Sequence, residues 1–463
     1  MLIDVRYSDL SGKASPMVIR YIIGEYMSRQ APEVIPVCEK IAAKLHMPDL
    51  QDCLENIFRE WLSAGADTKK KMILVPYCVF ASDGKIIALK KQLRDWSDAS
   101  RGALAAFAVT AIAINGGSTA LMTVSDIAAK FPNNMVKKAA KGAFAYAAKS
   151  FGVTEDVLAD KIVPDLGFDD KGEQLIDYGN RQFTVTLMPD FSLTIFDNEK
   201  GKSVKSLPKP GANDDEAKAE IAKRNFSELK KQIKAVVSSQ KIRMESVFRN
   251  GRTWDKSAWD KLFGGNPIMN IIARSLVWGV YDDNGELTAT FRYADDGTLC
   301  DENDDMYTLP EDAKISLVHP VEMTDDSIAA WIEQLSDYEI VQPFSQMSAN
   351  VITLGDKDID DKNKLIKYSG RTFTAGSISG AAKKYSLVRS SVEDAGGFSG
   401  YHLQDKTLGI GMAINGDSLF VGQDFGETVN LSDVYFYAIP EGFEQPDSYK
   451  DYTPVSPKTV KSQ

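Results

Sequence analysis

From residue 16 to about 165, apolar positions recur at helical spacing. Leu50, Cys53, Leu54, Ile57, Phe58, Trp61 and Leu62 fall at i, i+3, i+4 and i+7, which lays one continuous apolar stripe along a helix. Ala103 to Ile114 and Ala139 to Ala148 are Ala-rich and apolar almost all round, the pattern of inner helices packed between close neighbours. Gly65, Asp83-Gly84, Asn115-Gly116-Gly117 and Pro132-Asn133 interrupt the pattern at intervals of a few tens of residues. The spacing predicts a HEAT-like helical array over 1–172, with a compact bundle as the alternative because no fixed repeat motif is visible.

At PDLGFDDKG the period changes. Phe183, Val185 and Leu187 alternate, Met188-Pro189-Asp190 turns the chain, and Phe191, Leu193 and Ile195 alternate again, which predicts a β-hairpin. After the linker KSLPKPG, Asp214 and Asp215 open a long helix in which Ala222, Phe226, Leu229, Ile233, Val236, Met244 and Val247 keep spacings of three, four or their sums. About 35 residues of helix would span roughly 50 Å. A short helix carrying Trp254 and Trp259 is expected to end at Gly264-Gly265. Two β-like runs then flank Asp283-Asn284-Gly285-Glu286, with a second acidic turn at Asp295-Asp296-Gly297. A strand over Lys314–Val318 and a helix over Ser327–Leu335 follow.

Beyond residue 352 the chain is turn-rich and reads as β. The expected organisation is multidomain α+β: helical array 1–172, mixed core 173–352 with antiparallel hairpins and the long helix, β-rich domain 353–446, and a flexible, Pro-rich tail 447–463.

Composition narrows the function classes. The 463 residues are 43% hydrophobic and 26% charged, as in ordinary globular chains, and the net charge of −11 argues against a general nucleic-acid coat. One basic stretch stands out: Lys230, Lys231, Lys234, Lys241 and Arg243 follow one another on the long helix with no acidic residue between 229 and 244. It reads as a solvated face or as a contact for a nucleic-acid backbone or an acidic partner. Cys38, Cys53, Cys78 and Cys300 are far apart and only three histidines are present, so reduced thiols are expected, with no metal and no cofactor. The N-terminus shows no leader pattern and no run reaches the roughly 18 apolar residues of a membrane helix, so a cytoplasmic location is expected.

Candidate chemistry gathers in the core. Trp278 lies in an apolar run and reads as a core aromatic or a ligand platform. Arg292, between Phe291 and Tyr293, points to the opposite face from both and suits a salt bridge to Asp282, Asp295 or Asp296, or an anion clamp. His319 and Glu322 stand close together at a strand end. With Arg292, Tyr338 and Gln342 they make up the candidate site of an enzyme or small-ligand domain over 252–342, provided they converge in one cleft. Asp301, Asn303, Asp305 and Asp312 match calcium-loop positions, but Met306 stands where the sharp turn needs Gly. Asp356, Asp358 and Asp360 repeat the opening spacing with Asp361 in that place, so solvated acidic turns are expected at both. GSISGAAKKY lacks the Gly-Lys-Ser/Thr ending of a phosphate loop.

Five segments, DYGNRQFTVTLMPDFSLTIFDNEKGKSVKSLPKPG, RMESVFRNGRTWDKSAWDKLF, LVWGVYDDNGELTATFRYADDGTL, LVHPVEM and DYEIVQPFSQ, together resemble the core of the molybdate-metabolism-regulator-like (MolR-like) bacterial family, in the family's order and over about residues 165–347. The resemblance implies a domain of unknown function that often follows a WGR domain, sits beside HEAT-like helices and has no assigned catalytic residues. Its relatives are commonly encoded near MoxR-type ATPases and von Willebrand A domain proteins, which implies a part in a multiprotein system. No WGR segment is seen upstream, so a short member or a fragment is expected. The leading reading is a non-enzymatic scaffold or interaction protein whose partners engage the array. An enzyme or ligand-binding core is the alternative, and a nucleic-acid-associated protein using residues 230–243 is the second.

Overall fold

Proline in the first turn opens three of the early helices, where its fixed φ and missing N–H carry no penalty. They are α1 (Pro16–Met27), capped by the Ser15 side chain, α2 (Pro36–Ala42) and α3 (Met47–Ser63). The array continues through α4 (Leu74–Val79), α5 (Asp83–Asp98), α6 (Gly102–Ile114), α7 (Ser118–Lys130), α8 (Asn134–Ser150) and α9 (Glu155–Lys161). The computed structural model describes residues 3–294, 296–349, 354–385, 387–405, 409–440, 446–448 and 452–455.

On α3 the expected stripe is buried at Leu50, Cys53, Leu54, Phe58 and Trp61. Helix α6 buries residues all round and packs against α4, α5, α7 and α8, its alanines allowing the close approach. The four cysteines are free and buried. Among the described residues no helix is long and apolar enough to cross a membrane.

The strands β1 (Glu173–Asp177), β2 (Gln182–Leu187), β3 (Leu193–Asp197) and β4 (Lys202–Val204) form an antiparallel sheet in sequence order, with Phe183, Val185, Leu187 and Ile195 on its buried face. Helix α10 (Glu216–Asn250) follows as one 35-residue rod. The Asp215 side chain caps its start and Gly251, at φ 63°, ends it in the left-handed region that glycine adopts without strain.

Helix α10 lies along the array and packs on α5 and α7. Gln232 reaches Asp83 at the start of α5 (3.3 Å), and Ser239 bonds Asp126 on α7 at 2.6 Å, the same carboxylate that Lys90 of α5 takes. The face that α5 and α7 present here is covered by the chain's own helix.

The core sheet has the order β5-β9-β6-β7-β8, built from β5 (Trp254–Asp255), β6 (Trp278–Tyr281), β7 (Leu287–Tyr293), β8 (Leu299–Cys300) and β9 (Lys314–Leu317). Trp254 therefore lies on a strand, where a helix was expected; α11 (Lys256–Trp259) begins two residues later and runs into a π-helical turn, Asp260–Gly264. Helices α12 (Pro267–Arg274) and α13 (Asp325–Asp337) complete the core. Residues Met1–Met347 make up one compact unit and Ser348–Gln463 a second.

The second unit is β-rich, as expected, with β10 (Thr372–Thr374), β11 (Val388–Arg389), β12 (Gly400–Asp405), β13 (Ile410–Gly416), β14 (Thr428–Ala438) and β15 (Pro454–Val455) in one antiparallel sheet. It also holds a helix that its glycines concealed, α14 (Ala375–Lys384). Thr374 caps it, and a Cβ at Gly376 would stand 3.0 Å from the Phe425 carbonyl, so this glycine serves close approach and not chain breaking. His402 on β12 is buried between Tyr437 and Tyr452, its Nδ1 3.1 Å from the Tyr437 hydroxyl, and burial holds it down to about 4. From the stretch expected to be a flexible tail, Ser448 bonds Ser390 and Ser391, Tyr452 is buried, and Pro454–Val455 pairs with β14.

Candidate functional site

The core sheet sends alternate side chains to two differently furnished faces. Phe291 and Tyr293 of β7 turn toward Trp259, whose ring stacks on Tyr293 (5.2 Å, 8°) and meets Phe291 edge-on. Trp278 joins the same cluster, packed edge-on against Trp254, Trp259 and Phe263, and its Nε1 donates to the Ala273 carbonyl at 3.1 Å. It is fully buried with its one polar atom satisfied, which makes it a core residue and not a platform.

On the opposite face Arg292 is 1% exposed. Its Nη1 donates to the Tyr293 carbonyl at 2.7 Å, and its Nε to Gln334 of α13, which in turn donates to the Asp301 carbonyl at 2.9 Å. Nη2 lies 3.7 Å from Asp304 and makes no hydrogen bond. The guanidinium sits 4.5 Å over the Tyr338 ring, and the Tyr338 hydroxyl donates to the same Asp304 carboxylate. The acidic neighbour of Arg292 is thus Asp304, neither Asp282 nor Asp296, which were expected, while the third expected partner, Asp295, lies outside the described residues. Burial pushes the neighbouring Cys300 thiol up to about 11, against the pull of Arg292.

The acidic turns bond to themselves. Asp301 accepts the N–H groups of Asn303 and Asp305 at 2.9 and 3.0 Å, Asp282 those of Asn284 and Glu286 at 2.9 Å each, and Asp360 those of Lys362 and Lys364. Asp358 accepts from Gly355, and Asp312 is exposed. Asp296 holds Thr298, whereas Asp295 lies outside the described residues. Among the described residues no group of three or more His, Cys, Asp or Glu is placed to hold a metal.

His319 is the cap of the 3-10 turn Pro320–Glu322. Its Nδ1 accepts the Val321 N–H (3.1 Å), while Glu322 accepts the His319 N–H (2.9 Å) and the Tyr281 hydroxyl (3.0 Å). The ring stacks on Phe248 at 4.6 Å, and burial lowers its pKa against the opposing pull of Glu322. Gln342 is tied to the Met347 N–H and to Gln346. Gln346, which sequence reasoning passed over, is fully buried and bonds Val277 and Val318 where β6 and β9 end.

These contacts do not tie the candidate residues into one network. Arg292 with Tyr338, His319 with Glu322, and Gln342 with Gln346 are three separate groups, and among the described residues no hydrogen bond, ion pair or ring contact joins Arg292 to His319.

The basic stretch also divides. Lys230, Lys231 and Lys234 are exposed, Lys230 over the Phe226 ring and Lys231 paired with Glu228 at 2.8 Å. Lys241 is half-buried, 5.8 Å from the Phe191 ring. Arg243 leaves the patch altogether: it turns inward to Asp160 of α9 at 2.7 Å, where Arg252 and the Trp254 Nε1 (3.0 Å) also bind. An exposed helix face accounts for the first three residues, and a tertiary ion cluster for the last.

One cleft of about 680 Å³ opens where the four-stranded sheet meets the core. Leu187 and Pro189 line one side, Pro267, Ile271 and Ile340 the other. Asp170, Lys171, Arg274 and Glu339 supply charge, and Tyr293 and Tyr338 add hydroxyl-bearing rings. Tyr338 is the only predicted site residue on its wall. The lining comes from segments far apart in sequence, which left no local signal.

A family model described as a domain of unknown function, DUF4132, matches residues 201–386. The uncharacterized protein YehI of Escherichia coli (strain K12) is 28% identical over 409 residues, 85% of this chain. That alignment takes in 33% of YehI, so the chain spans about a third of the length of this relative. No solved structure matches. The chain is thus similar to proteins of unknown function, and the similarity to YehI covers most of it.

Proposed function

We propose that the chain is a non-enzymatic interaction protein of a multiprotein bacterial system. The observation that carries this reading is the use made of the chemically capable core residues. Arg292 Nη1 and Nε, His319 Nδ1, Glu322 and Gln342 bond to the chain's own backbone and neighbours, and no hydrogen bond or ion pair among the described residues joins Arg292 to His319. Tyr146 and Phe151 are 69% and 60% exposed and alternate in sequence with residues that line a groove between α8 and α9, among them Ala145, Ala148, Lys149 and Gly152. Exposed aromatics beside a groove suit a protein partner.

The finer reading follows the MolR-like resemblance: a cytoplasmic protein, of a family associated with WGR domains, that engages a MoxR-type ATPase or a von Willebrand A domain protein. Titrating the purified chain with each of these proteins tests it. Saturable binding that Tyr146→Glu and Phe151→Glu abolish, with melting temperature unchanged, is expected; no binding to either protein overturns the finer reading. A second reading, a small-ligand-binding core, is favoured by the charged and apolar cleft beside Tyr293 and Tyr338.

A further inference from the structure

We propose that the cleft between the four-stranded sheet and α12–α13 binds a short apolar peptide of two or three residues with both ends free. The proposal rests on the second reading, of the core as a ligand-binding region, and is independent of the partner-binding role.

The volume, about 680 Å³, falls in the range of small-molecule sites and exceeds what one free amino acid fills. The charges decide the class. Lys171 and Arg274 face the cleft together with Asp170 and Glu339. A phosphorylated ligand would set its charge against two carboxylates, and an uncharged apolar ligand would offer nothing to Asp170, Lys171 and Glu339. A molecule carrying an ammonium at one end and a carboxylate at the other answers both signs. Arg274 is braced for this, its Nε held by Asn270 at 2.8 Å. Asp170, Lys171 and Glu339 have no ion-pair partner among the described residues.

Two further observations point inward. Tyr293 is 7% exposed, lines the cleft, and its hydroxyl makes no hydrogen bond among the described residues, which leaves one donor and acceptor on the wall for a peptide group. Glu339 closes α13 in a Schellman turn: its N–H bonds Ser336, and the Ile340 N–H bonds Leu335. It has φ 51° at the position where glycine is the low-strain choice. The fold keeps a strained, charged side chain at the rim of the cleft.

Calorimetric titration of the full chain with leucyl-leucine, its N-acetyl derivative, its C-terminal amide and AMP tests the class. The free dipeptide is expected to saturate, and blocking either end to weaken it about tenfold or more. Glu339→Gly is expected to raise the melting temperature while weakening the free dipeptide to the level of the N-acetyl form, a combination that loss of folding cannot produce. Tyr293→Phe is expected to weaken all peptide forms alike. Equal binding of free and blocked peptides overturns the assignment to a zwitterion. Binding of AMP in their place overturns the peptide class but leaves a ligand site, and heat from none of the four overturns the ligand-binding reading as well.

Discussion

Gln346 stands in for a strand neighbour of Val277. Its Oε1 accepts the Val277 N–H at 3.0 Å and its Nε2 donates back to the Val277 carbonyl at 2.6 Å, as one residue of an antiparallel ladder does for another. The same Nε2 holds the Val318 carbonyl at 3.0 Å, so one amide closes the gap where β6 and β9 diverge beneath Trp331 and Leu335. Gln346→Met, of similar size, leaves the Val277 N–H and the Val318 carbonyl unpaired, while the Val277 carbonyl keeps the Val318 N–H at 3.4 Å, and is expected to cost about 2–4 kcal/mol. Chemical denaturation of the two proteins measures it; a loss under about 0.5 kcal/mol would show that water replaces the amide.

Asp160 takes two arginines, Arg243 and Arg252, and an indole N–H, with the three charged side chains 16–18% exposed. The cluster is unequal in its dependence on its members. Asp160→Ala strands two guanidiniums in a mostly buried site and is expected to cost about 3–5 kcal/mol. Arg243→Met leaves the carboxylate paired with Arg252 and is expected to cost about 1 kcal/mol or less. Equal losses in urea melts of the two variants would refute this asymmetry.

His402 is neutral in the folded second unit, because burial lowers its pKa to about 4 from the ordinary 6.5. An unfolded chain binds this proton between about pH 6.5 and 4 while the folded one does not. The stabilisation from keeping His402 neutral is therefore complete above pH 6.5 and declines as pH falls toward 4, by roughly 3 kcal/mol in total. Hydrogen exchange of the β12–β14 amides across that window follows it. His402→Gln is expected to flatten this part of the profile, and an unchanged slope in that variant would place the titration elsewhere.

Trp278→Ala removes a fully buried indole from the middle of the aromatic cluster and is expected to cost about 3–5 kcal/mol. Asp282→Asn and Asp296→Asn, on exposed turns that bond to themselves, are expected to change stability by well under 1 kcal/mol. Thermal melts with and without calcium check both expectations. A calcium-dependent rise in the wild-type melting temperature that either Asp variant abolishes would assign the turns a metal.

What was legible in the sequence depended on how far apart the deciding atoms lie along the chain. The rod of α10 was readable because its apolar spacing and its Asp215 cap are local. The alternation of Phe183, Val185 and Leu187 gave the β2–β3 hairpin for the same reason. The fate of Arg243 was not readable, since Asp160 lies 83 residues earlier, and Gln346 finds Val277 69 residues away. Gly376 misled in another way: a residue that breaks helices in solution sits inside one where a neighbouring segment needs the space. The cleft walls come from Asp170 to Ile340, and no periodicity marks such an assembly.

Helix α10 changes how the first unit comes apart. An open stack of helical repeats has its stability set by nearest neighbours and can peel from either end one repeat at a time. Here a single rod of roughly 52 Å bonds Asp83, Asp126 and Asp160, adding one brace across α5, α7 and α9 to the contacts these helices make with their neighbours. Peeling that begins at α1 is therefore expected to stop at α5, with α5 to α9 and the core sheet opening together in amide hydrogen exchange; the splint would turn a string of small equilibria into a single large one.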